Sequence, residues 1–511
     1  VDAQQEVRAE LSDLIELLDR DEDTWLVQRQ LKGLLEQQLE LQECTARLAL
    51  ETIGQSLENL TPQQRSELER IADAQLELPE GARRVIEEMR RRAPALEELD
   101  PQSASGLRSA ADTGEEREVD RDMEQAGERI AQNQLQNAAG AQERAVQTLQ
   151  RMLDDIEESK RAQAEELLRQ LASLIQSIER LIVVQENELI ALAESVAATD
   201  FTGRDHAMIR LSQNSQSVAA EARAAGQDVR RIARALDRAS DAQGAAVSAL
   251  RAEPIAADDA RLAEERSLEQ LKEARDLAEE LEQKTQDEQV RKQREELIEA
   301  YRELAEKQVA LRTDTLELVE REGELTRRQL VDARRFGNVQ HEIRLALTDL
   351  ADSTQELLES KVFTYVHELM DGWADDASQR LWNGEVDVEV TDRQQMIAES
   401  IARQIEAIED ATRPPDEFAK ERQQSGAGAS GGQPSLIPPE AEIRRVRGLQ
   451  EQVYDQTRSL DGRADLSEAQ RRQRLRELGQ MQRTLIELGE AMLEQLQQGA
   501  GGDEPPGAID K

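Results

Sequence analysis

From Val290 onward an aliphatic residue returns every seventh position, at Leu297, Leu304, Leu311, Leu318 and Leu325. No other feature restricts the fold as strongly. Side chains on a strand alternate with period two, so a seven-residue repeat has no strand reading. On a helix the same repeat draws one apolar line and asks for a partner helix along it. Between the leucines, at alternating steps of four and three, stand Arg294, Tyr301, Gln308, Thr315, Glu322 and Gln329. In heptad terms the d positions are apolar and the a positions mostly polar.

Two further runs share these steps. Leu167, Leu171, Leu174, Ile178 and Leu181 lead to Gln185; near the C-terminus come Leu475, Leu478, Gln482, Leu485, Gly489 and Met492. One local pattern recurs: Ile71-Ala72 with Gln75 and Leu78, Leu304-Ala305 with Gln308 and Leu311, Leu478-Gly479 with Gln482 and Leu485. An amide in an apolar seam costs stability unless a partner meets it from the facing helix. What it gives is register and partner choice. Gln75, Gln185, Gln308, Thr315 and Gln482 are therefore the candidate register residues. The alternative is that they mark the edge of a wider stripe in a multi-helix bundle. Both readings mean helix packing, not catalysis.

Composition agrees with thin seams. The 511 residues include only four Phe, three Tyr and three Trp, too few for a thick core. With 107 acidic and 65 basic residues the net charge is −42, which repels nucleic acid; Arg90-Arg91-Arg92 and Arg230-Arg231 read as solvated faces. The single Cys44 excludes an intrachain disulfide. The most apolar stretch, "LIVVQENELIALA", is interrupted by Gln185, Glu186 and Glu188 and cannot span a membrane. A start at "VDAQQ" points to a fragment or to removal of an export signal, hence an expected periplasmic or extracytoplasmic location, with cytoplasmic as the alternative.

Punctuation along the chain sets the expected organisation: an N-terminal helical module over 1–92, then a linker over 93–114 ("APALEELDPQSASGLRSAADTG"). A long hairpin with an Ala-rich second arm follows over 115–252, its first helix running from Glu115 to Ala198. Residues 253–412 hold the long heptad helix (about Asp258 to Asp371, bent at Gly337), an aromatic cluster and a further helix capped by Thr391. A flexible joint over 413–437, a C-terminal helical hairpin over 438–497 and a disordered tail over 498–511 complete it. In the first module Thr61 and Pro62 open a helix that Pro79 and Gly81 close.

Reactive motifs are scarce. His341-Glu342 and His367-Glu368 each open like a zinc-protease helix, but the second histidine is absent. His367 with Asp371 is the one spacing left for a metal. No phosphate loop, dinucleotide motif or nucleophile elbow occurs, so no cofactor, metal or catalytic residue is expected. Phe363, Tyr365, Trp373 and Trp382 form the aromatic cluster, either a local core or a docking surface for another protein.

The stretch "IPPEAEIRRVRGLQEQVYDQTRSLD", preceded by "RQQMIAESIARQIEAIED" and a Gly/Gln-rich spacer, resembles the C-terminal part of uncharacterised planctomycete-type bacterial extracytoplasmic helical proteins. Those begin Pro-Pro-x-Ala-Glu-Leu; here Ile443 stands in place of the Leu, and Thr457 ends the helix. The resemblance covers roughly residues 380–490. It implies an exported helical protein encoded near energised envelope proton-channel systems and transfers no functional residue. The expected fold is all-α: elongated antiparallel coiled-coil hairpins with a tethered C-terminal hairpin. The expected function is a non-enzymatic scaffold of the bacterial envelope, working by helix pairing with protein partners or with itself. The alternative is a regulatory adaptor whose C-terminal module docks on an energised membrane complex; an enzyme or metal site near 363–382 comes third.

Overall fold

A computed structural model describes residues 2–97, 100–319, 325–354, 357, 359–412, 436–437, 439–462 and 468–500. The protein is all-α, with no strand among the described residues. It divides into two compact units, Val1–Thr285 and Gln286–Lys511.

In the first unit α1 (Asp2–Glu51) and α2 (Pro62–Leu96) are followed by α3 (Pro101–Glu116), α4 (Val119–Ala131) and α5 (Leu135–Ala198). Thr61 caps α2 through a reciprocal bond pair with Gln64, and Pro62 supplies the preset first turn. Pro79 and Gly81 do not close α2. They lie inside it, Pro79 buried and Gly81 so near Leu34 that an added Cβ would sit 2.8 Å from Leu34 Cδ2.

The expected linker at 93–114 is not one. α2 continues to Leu96, and Asp100 caps α3 by accepting from Ser103 N at 3.0 Å. Its small residues, which read as linker composition, are the packing surface: a Cβ at Gly106 would lie 2.6 Å from Ser159 Cβ, and one at Gly114 2.8 Å from Ile86 Cδ1. Small side chains here let helices close on one another. The helix expected from Glu115 is likewise interrupted by a reversal, with Asn133 at φ 56°, before α5 begins. Beyond the middle of α5, α6 (Arg204–Ala224), α7 (Arg230–Leu250) and the start of α8 (Ala257–Val319) share a second core rich in alanine.

In the second unit the end of α8 is joined by α9 (Arg327–Ser353), α10 (Lys361–Trp382), α11 (Val388–Thr412), α12 (Pro439–Gly462) and α13 (Glu468–Ala500). The heptad helix is thus shorter than expected. α8 ends at Val319, and Thr326 opens α9 with Gln329 as its capping-box partner, so Gln329 is a cap and not a seam residue. Gly337 does not bend α9. It admits Trp382, whose Cδ1 would lie 2.6 Å from a Cβ there. Asp387, not Thr391, caps α11, its Oδ1 accepting from Val390 N at 3.1 Å. The C-terminal hairpin, expected to be a tethered module, is part of this unit's core: Leu449, Val453, Leu478 and Leu485 are buried in one cluster with Leu297 and Ile401. Leu436 and Ile437, assigned to the joint, are buried in it as well; residues 413–435 and 501–511, which hold most of the expected joint and tail, lie outside the described residues.

Candidate functional site

Buried amides join the helices in layers. In the first unit Gln75 of α2 and Gln38 of α1 exchange both amide bonds, at 3.1 and 2.8 Å. Gln142 of α5 donates to Gln75 at 2.8 Å and to Thr45 at 3.2 Å. All four side chains have no exposure. Gln185 of α5 accepts from Gln243 of α7 at 3.1 Å and from Ser267 of α8 at 2.9 Å. Each layer ties three helices.

The second unit repeats the device. Gln308 of α8 and Gln340 of α9 bond reciprocally at 3.2 and 2.8 Å. Thr315 accepts from Gln394 of α11 at 3.2 Å and donates to the Leu311 carbonyl. Gln482 of α13 and Gln450 of α12 exchange bonds at 3.1 and 3.2 Å, but this pair is exposed. A reciprocal pair satisfies both buried amides and fixes one axial offset between two helices, since a slide of one turn breaks both bonds. The partners Gln38 and Gln340 were not singled out from sequence, although the signal is there. Leu31, Leu34, Gln38, Leu41, Thr45 and Leu48 keep the steps of three and four, as do Phe336, Gln340, Ile343 and Leu347.

Two members of the aromatic cluster, Phe363 and Trp373, belong to the core, and the other two are partly exposed. Phe363 is unexposed and Trp373 nearly so, both inside the core, while Tyr365 is half-buried. Trp382 spends its surface on Gly337 and donates from Nε1 to Asn338 Oδ1 at 2.8 Å, with the His341 ring 5.4 Å away. Aromatic side chains supply large buried area, and here it is used within the unit.

The spacing that placed His367 beside Asp371 does not bring them to a common centre. His367 Nε2 bonds the Tyr301 hydroxyl at 2.7 Å, and Asp371 pairs with Arg344 at 2.6 Å. Burial pushes the His367 imidazole down to about 4 and the Tyr301 phenol up, so both stay neutral. Among the described residues no three His, Cys, Asp or Glu side chains are grouped to hold a metal ion. A cavity of about 350 Å³ is lined by Trp373, Gln456, Arg393, Arg474 and Glu477. Its Arg393 is spent on Asp376 at 3.1 Å and Glu477 at 3.0 Å. No helix among the described residues is long and apolar enough to cross a membrane.

No family model, no curated protein and no solved structure matches the chain. The functional reading therefore rests on its own geometry.

Proposed function

We propose that this chain is a helix-pairing scaffold of the bacterial envelope, and that α13 offers the pairing face to a second copy of the chain. The carrying observation is that α13 has two apolar stripes. Leu478, Met481, Leu485 and Leu488 are buried within the unit. Leu475, Gly479, Gln482, Ile486, Gly489 and Leu493, at steps of four and three, form the other. Of these Leu475, Ile486 and Leu493 are 46%, 52% and 59% exposed. A Cβ added at Gly479 or Gly489 would meet nothing within 4 Å. Apart from Gln482, which pairs with Gln450 of α12, this line is open, and it has the heptad form of a seam.

Its order supports a second copy as occupant. Leu475 and Leu493, Gly479 and Gly489, and Gln482 and Ile486 are each centred on Thr484. An antiparallel copy therefore sets leucine on leucine and glycine on glycine, as an isologous two-fold interface requires. Flanking charges are paired about a centre one residue away: Arg472 with Glu494 and Arg476 with Glu490 are centred on Arg483.

Sedimentation of the full chain tests the reading. Dimerisation is expected, with Ile486→Glu weakening it by tenfold or more, on the order of the ~1.4 kcal/mol that a tenfold change represents. Glu490→Arg should weaken it too, and adding Arg476→Glu should restore it. A chain that stays monomeric at all concentrations, or a dimer indifferent to Ile486→Glu, defeats the proposal.

A further inference from the structure

Arg445 of α12 is a buried cation without a counter-charge among the described residues. It is 1% exposed, and its Nε, Nη1 and Nη2 all lack a hydrogen-bond partner. Buried guanidinium groups are paired as a rule, because removing the charge from water is otherwise uncompensated. Here the charged neighbour is another arginine. Arg403 of α11 donates to the Gly448 carbonyl, and a Cβ at Gly448 would lie 3.7 Å from Arg403 Cδ and 3.8 Å from Arg445 Nη1. Both arms pass over the same stretch of α12. The groups acting on Arg445 are Arg403 and the Tyr301 phenol; among the described residues no carboxylate does. Burial first, then Arg403, pushes the Arg445 guanidinium down to about 9.

Further unused donors lie on the same two helices. Gln404 follows Arg403 on α11, is unexposed, and has no partner at either amide atom. Gln452, seven residues after Arg445 and on the same face of α12, is 2% exposed and equally unpartnered. Gln38, Gln75, Gln308 and Gln340 show that this protein pairs its buried amides where pairing is their purpose. Water would satisfy the amides, but it does not supply the missing negative charge.

We propose that the seam between α11 and α12 holds a halide-sized inorganic anion, chloride, against Arg445, with the amide N–H groups of Gln404 and Gln452 as further donors. The near-zero exposure of all three side chains restricts the occupant to a small ion, since an organic carboxylate would have to carry its tail inside. The ion acts as the absent acidic partner, joining α12 to α11.

Thermal unfolding of the full chain tests this at constant ionic strength, with sodium gluconate replaced stepwise by sodium chloride. The midpoint should rise with chloride and saturate, as for a ligand that binds only the folded state. In Arg445→Met the saturable rise should vanish. Should that variant not fold, Gln404→Leu with Gln452→Leu keeps the charge, and its half-saturating chloride concentration should rise roughly tenfold through the loss of two donors. Crystals grown in bromide should show an anomalous peak beside Arg445. Identical curves in gluconate and chloride, or a response unchanged in Arg445→Met, overturn the proposal. A rise with sulfate but none with chloride overturns the halide assignment.

Discussion

Gln308 and Gln340 donate to each other across α8 and α9, at 3.2 and 2.8 Å, with neither side chain exposed to solvent. The two amides are a unit. Removing one leaves the other buried and unsatisfied, which costs roughly 1–3 kcal/mol.

Gln308→Leu should therefore lower the thermal midpoint of the second unit by roughly 2–4 °C per kcal/mol lost. The double variant with Gln340→Leu should recover that loss, because two leucines leave no orphaned amide. Its register should be less defined, since an apolar seam discriminates less between offsets. Calorimetry of both variants, with disulfide trapping of alternative α8–α9 offsets, checks both halves. A single variant as stable as the parent would place the pair outside the energetics of the seam.

Gly337 makes a second prediction. Trp382 Cδ1 lies 2.6 Å and the Ser378 carbonyl 3.1 Å from where a Cβ would stand. Neither a rigid indole nor a backbone carbonyl can move aside cheaply. Gly337→Val should destabilise by about 1–3 kcal/mol through overpacking and shift the Trp382 fluorescence as the ring leaves Asn338. Unchanged emission and stability would mean that α9 and α10 do not approach this closely.

Much of this was legible in the sequence, and the failures share a cause. Heptad steps reported helices and the polar positions on them, because period is a local property. They could not report that α8 stops at Val319 or that Gln329 is a cap, because Leu325 and Gln329 keep the spacing beyond that end. Ser103, Gly106, Ala110 and Gly114 read as linker since small residues serve flexible chain and close helix contact alike; only the facing Ser159, Ile86 and Met152 distinguish the two. Nothing in the sequence sets Arg445 apart from Arg444 and Arg447 beside it, since burial is decided by which helices arrive on its face.

Titration should act on the two units in opposite directions. In the first, Glu264 is raised from 4.5 to about 7 by burial and the nearby Glu188, with Arg204 opposing. Folding then favours the protonated acid, so stability is full below pH 4.5 and falls as pH rises toward 7. In the second, burial lowers His367 from 6.5 to about 4, so its contribution is full above pH 6.5 and lost as pH falls toward 4. Each effect is at most about 3.5 kcal/mol, from ~1.4 kcal/mol per pH unit. Hydrogen exchange read helix by helix in the intact chain separates them. Glu264→Gln should remove the slope around α5 and the start of α8 while leaving that around Tyr301 and His367. Parallel slopes in both units would contradict the assignment.

The C-terminal hairpin carries the last prediction. Its Leu449, Val453, Leu478 and Leu485 are buried in the same cluster as Leu297, Phe363 and Ile401, and Arg393 of α11 reaches Glu477 of α13 at 3.0 Å. A module made to leave would not bury its apolar stripe against the elements that precede it. A protease site engineered at Gly428 should therefore cut the chain without separating it. Size exclusion should give one peak containing both pieces, and circular dichroism should be unchanged. Leu449→Ala, which removes a buried side chain at about 2–5 kcal/mol, should weaken that association and release the C-terminal piece. The piece expressed alone should be poorly helical, since two helices without α10 and α11 leave their inner stripe in water. If cleavage alone frees a stably helical hairpin, its burial in the second unit is not needed for its fold, and the tethered module expected from the sequence is the better description.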